Sequence, residues 1–172
     1  MPGPDRPPLT CPPVTTTTPS SPRDRGFEDF TVGDTFEVGA YEVDADEIMD
    51  FGRRYDPQPF HTDAEAAKAS IFGGLIASGW HSCAMGMRML VDNVLSPTYS
   101  LGSPGVDEVR FLAPVRPGAR LRLRVTVDEL VPSQSKPDRG LVRMRVAVLE
   151  GDTPVVSMLA LGIWARRQPL AG

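Results

Sequence analysis

From residue 120 onward, apolar and polar side chains alternate almost without a break. Over residues 120–130, Arg120, Arg122 and Arg124 interleave with Leu121, Leu123, Val125 and Val127. Over residues 141–149, Val142, Met144, Val146 and Val148 share one face while Arg143 and Arg145 take the other. A period of two sends successive side chains to opposite faces of an extended chain, so both segments are predicted as strands with one buried and one solvated face. Residues 155–167 are apolar on both sides over much of their length, which predicts an interior strand. Residues 106–112 read as a shorter strand, residues 114–118 as a turn, and the Gly/Ser/Pro-rich residues 100–105 as a loop.

The first half follows a different rhythm. Phe36, Val38 and Tyr41 suit one early strand over residues 35–43, with an irregularity at Gly39. Asp44 and Glu47 form a capping-box pattern ahead of a helix whose Ile48, Phe51 and Tyr55 share a face. Pro57 and Pro59 stop that helix and push Asp56 and Gln58 towards extended conformations. Thr62 and Glu65 form a second capping-box pattern, predicting a short Ala-rich helix over residues 63–70 that a glycine pair, Gly73 and Gly74, ends. Then Trp80, Ala84, Met87, Val91 and Val94 recur at spacings of three and four, predicting a long apolar helix; Cys83, Met85 and Leu90 widen its stripe, as expected of a helix buried on more than one side. One early strand, a helical middle and four long strands predict an α+β fold in which a curved antiparallel sheet wraps around one long central helix.

Composition narrows the class without changing that picture. A chain of 172 residues with 41% hydrophobic content can bury the core of one domain. Residues 1–25 are mostly Pro, Thr and Ser and predict a disordered tail, leaving residues 26–168 as a single domain. With a net charge of −4 and arginines dispersed along strands, nothing points to a nucleic-acid partner. No apolar run approaches the ~20 residues of a membrane span, and no hydrophobic signal core opens the chain, so a soluble, cytoplasmic protein is expected. Cys11 and Cys83 make no disulfide framework.

The candidate chemistry lies between Tyr55 and Gly79. Asp56 and His61 are separated by PQPF, so a stiff Pro-X-Pro turn brings a carboxylate and an imidazole into reach of one water, as water addition or removal requires. The alternative is a carboxylate that caps a turn beside a satisfied polar histidine. Gly79 opens the long helix, where an unpartnered backbone amide and the helix dipole can stabilise an oxyanion; equally, it can be a glycine only so that the helix starts tightly against the sheet. The Ala-rich helix is expected to set the distance between the acid–base pair and that amide. His61, Asp63 and His81 lack a further cysteine or acidic cluster at ligand spacing, so no metal is expected. His81 reads as a polar residue one turn into the central helix. Ser78 and Ser82 have no GxSxG context, and Gly73 and Gly74 form no phosphate loop.

DPQPFH (residues 56–61) resembles the D-x-N-P-x-H signature of the MaoC-like dehydratases and (R)-specific enoyl-CoA hydratases. FGGLIASG (residues 72–79) is similar to that family's F-x-x-x-I-A-x-G lead into its central helix, and VRFLAPVRPG (residues 109–118) to its strand and turn. The resemblance spans residues 27–167. It implies a single hot-dog fold, a homodimer or dimer of dimers, no cofactor, and a thioester of CoA or an acyl-carrier protein bound near the subunit interface. It assigns Asp56 and His61 to reversible hydration of an enoyl thioester and the Gly79 amide to its carbonyl, with Phe72, Ser78, Trp80 and Arg110 as substrate-binding residues. Two departures stand out: Gln58 replaces the usual Asn, and Ser78 precedes the glycine where His or Pro is common. Both bear on the shape of the substrate. A hot-dog thioesterase and a non-catalytic acyl-CoA-binding or heterodimer subunit remain as alternatives.

Overall fold

The computed structural model describes residues 21–168. Five strands form one antiparallel sheet: β1 (Thr35–Glu42), β2 (Ser100–Phe111), β3 (Arg120–Pro132), β4 (Arg139–Glu150) and β5 (Thr153–Ala165), in the order β1-β3-β4-β5-β2. Between β1 and β2 lie α1 (Ala45–Tyr55), the single turns α2 (Pro59–Thr62) and α3 (Ala64–Lys68), and α4 (Gly79–Asn93). The alternation holds. Leu121, Leu123, Val125 and Val127 of β3 and Val142, Met144, Val146 and Val148 of β4 are all buried, and the sheet closes around α4 as a hot-dog fold. On the opposite face the arginines pair across strands: Arg122 and Arg124 with Glu37, Arg143 with Glu129, and Arg145 with Asp128. Exposed pairs of this kind contribute little each, and they mark a solvated surface.

β1 bends where expected. Its register shifts between Val38 and Tyr41, and Gly39 has a φ of 81°; a Cβ there would come 3.0 Å from the Met89 sulfur, so a bulged glycine lets the strand cross close over α4.

Four expectations need correction. Residues 100–105 are not a loop: they belong to β2, with Ser100, Gly102 and Gly105 opposite Trp164, Ile163 and Leu161, because an irregular edge strand draws its conformation from its neighbour. The Asp44 capping box is half formed. The Asp44 carboxylate accepts from the Asp46 and Glu47 amides, but Glu47 instead receives the Tyr41 hydroxyl at 2.5 Å. The short helix is capped by Asp63, which takes the Glu65 and Ala66 amides, whereas Thr62 ends α2 and donates to the Gln58 carbonyl. Finally, α4 is rotated from the expected stripe. Trp80, Met87 and Val91 are 63%, 47% and 44% exposed, and Ser82, Met85, Gly86, Met89 and Leu90 face the sheet. The small residues decide this: a Cβ on Gly86 would lie 2.9 Å from a Val148 methyl.

The tail expected for residues 1–20 lies outside the described residues. Within 21–25, Arg25 is only 6% exposed; it pairs with Asp34 at 2.5 Å and lies over the Phe36 ring. Among the described residues no helix is long and apolar enough to cross a membrane.

α1 docks on α4 through a buried histidine. His81 is 2% exposed, stacks on Phe51 with ring centroids 4.7 Å apart, and faces Glu47 at 3.6 Å. Burial pushes its pKa down, against the opposing pull of Glu47. The folded state therefore resists a proton that the unfolded chain accepts near its ordinary value of 6.5. Stability is expected to be complete above that value and to fall as the pH drops from there through the lowered folded pKa. Urea melts at neutral pH and about pH 5 should show this slope in the wild type and a reduced slope in His81→Gln; equal slopes would remove His81 as its source.

Candidate active site

α1 ends at Tyr55, and Asp56 follows in a non-helical conformation, its amide still bonded to the Gly52 carbonyl. Gln58 is extended, as the prolines require, but Pro59 then opens a new helical turn, its fixed φ suiting the first position. That turn carries His61 inward to 4% exposure. It can do so because residue 52 is glycine: a Cβ there would lie 2.7 Å from the His61 carbonyl oxygen.

His61 Nδ1 lies 2.8 Å from the Ile76 carbonyl oxygen. A carbonyl only accepts, so Nδ1 carries the hydrogen, and the opposite nitrogen, Nε2, is turned to Asp56 Oδ2 at 3.4 Å. Asp56 is itself gripped. The Gln58 amide donates to Oδ1 at 2.8 Å and the Ser78 hydroxyl to Oδ2 at 2.7 Å. These bonds hold its pKa below the usual carboxylate value, Gln58 contributing most and Ser78 next, with the nearby imidazole adding less and partial burial opposing them. Asp56 is therefore an oriented anion at neutral pH. The pair can hold one water between a carboxylate oxygen and an imidazole nitrogen.

Ser78 also caps α4, accepting the Trp80 amide at 3.3 Å. One hydroxyl thus ties the acid to the head of the central helix across 22 residues of chain, and this bond, rather than the Ala-rich α3, sets their separation. The Gly79 amide, first in α4, makes no hydrogen bond among the described residues. The glycine itself is explained by packing. Its absent Cβ would lie 2.7 Å from three carbons of the Phe111 ring, so the helix does start tightly against the sheet.

These groups line one cavity of about 610 Å³, together with Phe60, Phe72, Trp80, Phe111, Val155 and Val156. Phe72 is held against Phe60, with ring centroids 5.0 Å apart, and Trp80 meets Phe111 edge to face. Of the expected substrate-binding residues, Phe72, Ser78 and Trp80 line this cavity. Arg110 does not: it is exposed and donates to the neighbouring Val109 carbonyl. Arg116 lies closer, donating to the Phe72 carbonyl at 2.6 Å. The departures from the family pattern, Gln58 and Ser78, turn out to hold Asp56. The parts that sequence reasoning missed, Gly52 and Phe111, carry no local signal, since each is required by a partner distant along the chain. Of the histidines and aspartate weighed as metal ligands, His61 belongs to this site, Asp63 caps α3, and His81 lies against α1.

Residues 3–151 match the family model described as MaoC like domain. A solved MaoC-like dehydratase from Rhodospirillum rubrum is 39% identical, with a TM-score of 0.77 over 84% of this chain and 99% of that one. The unliganded R-hydratase PhaJ1 from Pseudomonas aeruginosa is 25% identical, with a TM-score of 0.65 over 84% of this chain and 88% of that one. Among curated sequences, the uncharacterized protein YdeM of Bacillus subtilis (strain 168) is 29% identical over 110 residues, 64% of this chain and 76% of that one. Asp56, His61, Ser78 and Gly79 all fall within the matched span, and the chain belongs to the MaoC-like domain family.

Proposed function

We propose that the protein is a cofactor-free hydro-lyase that reversibly adds water to a trans-2-enoyl thioester, giving the (3R)-3-hydroxyacyl thioester. The observation that carries this reading is the arrangement of one cavity wall: Asp56 Oδ2 and His61 Nε2 face each other at 3.4 Å beside the N-terminus of α4. In the proposed reaction Asp56 takes a proton from the water held by the pair as its oxygen attacks C3. The displaced electrons pass to the thioester carbonyl, whose developing oxyanion meets the Gly79 amide and the positive end of the α4 dipole. His61 orients the water through its unprotonated Nε2, and the proton taken up by Asp56 passes through that nitrogen to C2, on the same face, so the enzyme ends in its starting state. The dehydratase and R-hydratase among the solved relatives support this reaction class and its stereochemistry.

The apolar cavity suits the acyl group, and the exposed Arg116, which donates to the carbonyl of the cavity residue Phe72, suits an anionic carrier such as CoA or an acyl-carrier protein. A homodimer is also proposed. The edge strand β2 presents Leu101, Val106 and Phe111 half exposed, with Leu112 just past its end, alongside the uncovered Trp80, Met87 and Val91 of α4. Sedimentation of the pure chain should show a dimer; a monomer at micromolar concentration would contradict it.

The test of the reaction is conversion of crotonyl-CoA, read together with a thiol-reactive dye. Loss of the enoyl group without free thiol is the expected outcome, whereas release of CoA thiol would make the protein a thioesterase. Binding without conversion would make it a non-catalytic subunit. Ser78→Ala provides a finer check. Removing one of the donors that lower the Asp56 pKa should move the acidic limb of the kcat/KM profile to higher pH, because the anion then persists over a narrower range. An unmoved limb would show that Ser78 does not stabilise the working carboxylate.

A further inference from the structure

Residues 69–78 join α3 to α4, and the two halves of this segment are held in different ways. The second half is stitched to the fold through its backbone: the Ile76 amide donates to the Phe60 carbonyl at 3.2 Å and the Ala77 amide to the Val115 carbonyl at 2.8 Å. The first half is held lightly. Ser70, Phe72 and Gly73 bond to one another and to Ala67 of α3, Gly73 has a φ of 64° with nothing within 4 Å of the Cβ it lacks, and Ile71 is 96% exposed. Among the described residues, a single hydrogen bond joins residues 71–75 to anything beyond that turn: the Arg116 guanidinium donates to the Phe72 carbonyl at 2.6 Å. The same guanidinium lies against Gly74, where a Cβ would come 3.3 Å from Nη1.

Arg116 is a firm anchor because the turn that carries it is firm. Val115 before it is 1% exposed and receives the Ala77 amide, the Arg116 carbonyl accepts the Ala119 amide at 3.1 Å, and the Gly118 amide donates to the Val43 carbonyl at 2.8 Å. What the anchor holds is a wall of the catalytic cavity. The Phe72 ring packs on Phe60 with centroids 5.0 Å apart, and Phe60 meets the His61 ring edge to face at 4.5 Å. We infer that Arg116 is a positioning residue for the proposed hydration: by tying down Phe72 it keeps this row of rings in place around the enoyl group, independently of any contact with the carrier. The inference rests on the hydratase reading above. Arg116 touches no reacting atom, and without its bond Phe72 is retained by ring contact alone, on a turn with little else to keep it closed.

A role in positioning and a role in binding the carrier separate on a thioester that has no phosphates. kcat and KM are to be measured for crotonyl-CoA and crotonyl-pantetheine with the wild type, Arg116→Ala, Arg116→Lys, Phe72→Ala and the Arg116→Ala/Phe72→Ala double variant. Arg116→Ala should lower kcat about tenfold on both thioesters, the scale of one lost hydrogen bond, since a loosened wall misplaces the enoyl group in the transition state. Arg116→Lys keeps a donor and should recover part of that loss. The double variant should be no worse than Phe72→Ala, because the guanidinium acts through Phe72. Unchanged kcat on crotonyl-pantetheine in Arg116→Ala, with at most a raised KM for crotonyl-CoA, overturns the inference, as do additive losses in the double variant. Hydrogen exchange of residues 71–75 without substrate gives a second reading: it should be faster in Arg116→Ala, and unchanged exchange overturns the inference whatever the activity. Wild type that hydrates neither thioester overturns the hydratase reading itself, so the two failures are told apart.

Discussion

Asp56→Asn is expected to lower enoyl-CoA hydration by about 10²–10⁴-fold, the range for losing a positioned general base. The substitution preserves size and planarity, and Asp56 sits at the cavity wall where no packing depends on its charge. The consequences fall on its partners. The Gln58 amide and Ser78 hydroxyl both donate to the carboxylate, so an amide in its place turns one contact from donor–acceptor to donor–donor unless a partner rotates. The chain should still fold, since Gln58 is exposed to solvent and the Ser78 hydroxyl can accept as well as donate. His61→Gln should fall by a similar factor, because it removes the nitrogen that faces Asp56 at 3.4 Å. The double variant should be scarcely worse than either single one, as holding and deprotonating one water needs both groups together. Additive losses would mean that the two act in separate steps.

The second large effect is expected at Gly79. A methyl group there would lie 2.7 Å from three carbons of the Phe111 ring, so Gly79→Ala must displace either the ring or the first turn of α4. Overpacking of this kind costs about 1–3 kcal/mol in stability. Its effect on rate should be larger in proportion, because the first turn carries the free Gly79 amide and the serine that holds Asp56, and a shift of about 1 Å in positioned groups can cost 10²-fold. Alanine keeps the backbone amide. The double variant Gly79→Ala/Phe111→Ala should therefore recover kcat close to that of Phe111→Ala alone, and a double-mutant cycle should show strong coupling. If the double variant stays as impaired as Gly79→Ala, the glycine is needed for something other than room for the Phe111 ring.

The later strands were legible because each buries a single face: Leu121 to Val127 and Val142 to Val148 leave an alternation that no helix tolerates. The first part of β2 was not, since its glycines, serine and proline read locally as a loop and become strand only by pairing with β5. α4 was legible as a helix but not in its orientation. It carries apolar residues all round, and the buried side was chosen by what allows close approach, Ser82 and Gly86, rather than by the most hydrophobic stripe. In the site, Asp56 and His61 stood out as candidates because a stiff four-residue segment joins them, and the resemblance to the family supplied their roles. The supports did not. Ser78 meets Asp56 across 22 residues, Phe111 meets Gly79 across the sheet, and Arg110, attractive as a cation, lies on a strand edge that turns it to solvent.

The most direct measurement is the conversion of crotonyl-CoA by wild type and Asp56→Asn, with the chirality of the product and the release of thiol followed in the same reaction. The account predicts (3R)-3-hydroxybutyryl-CoA from the wild type, no free thiol, and a rate reduced by at least about 10² in the variant. Hydration that is indifferent to Asp56, or thiol release in place of hydration, would contradict it.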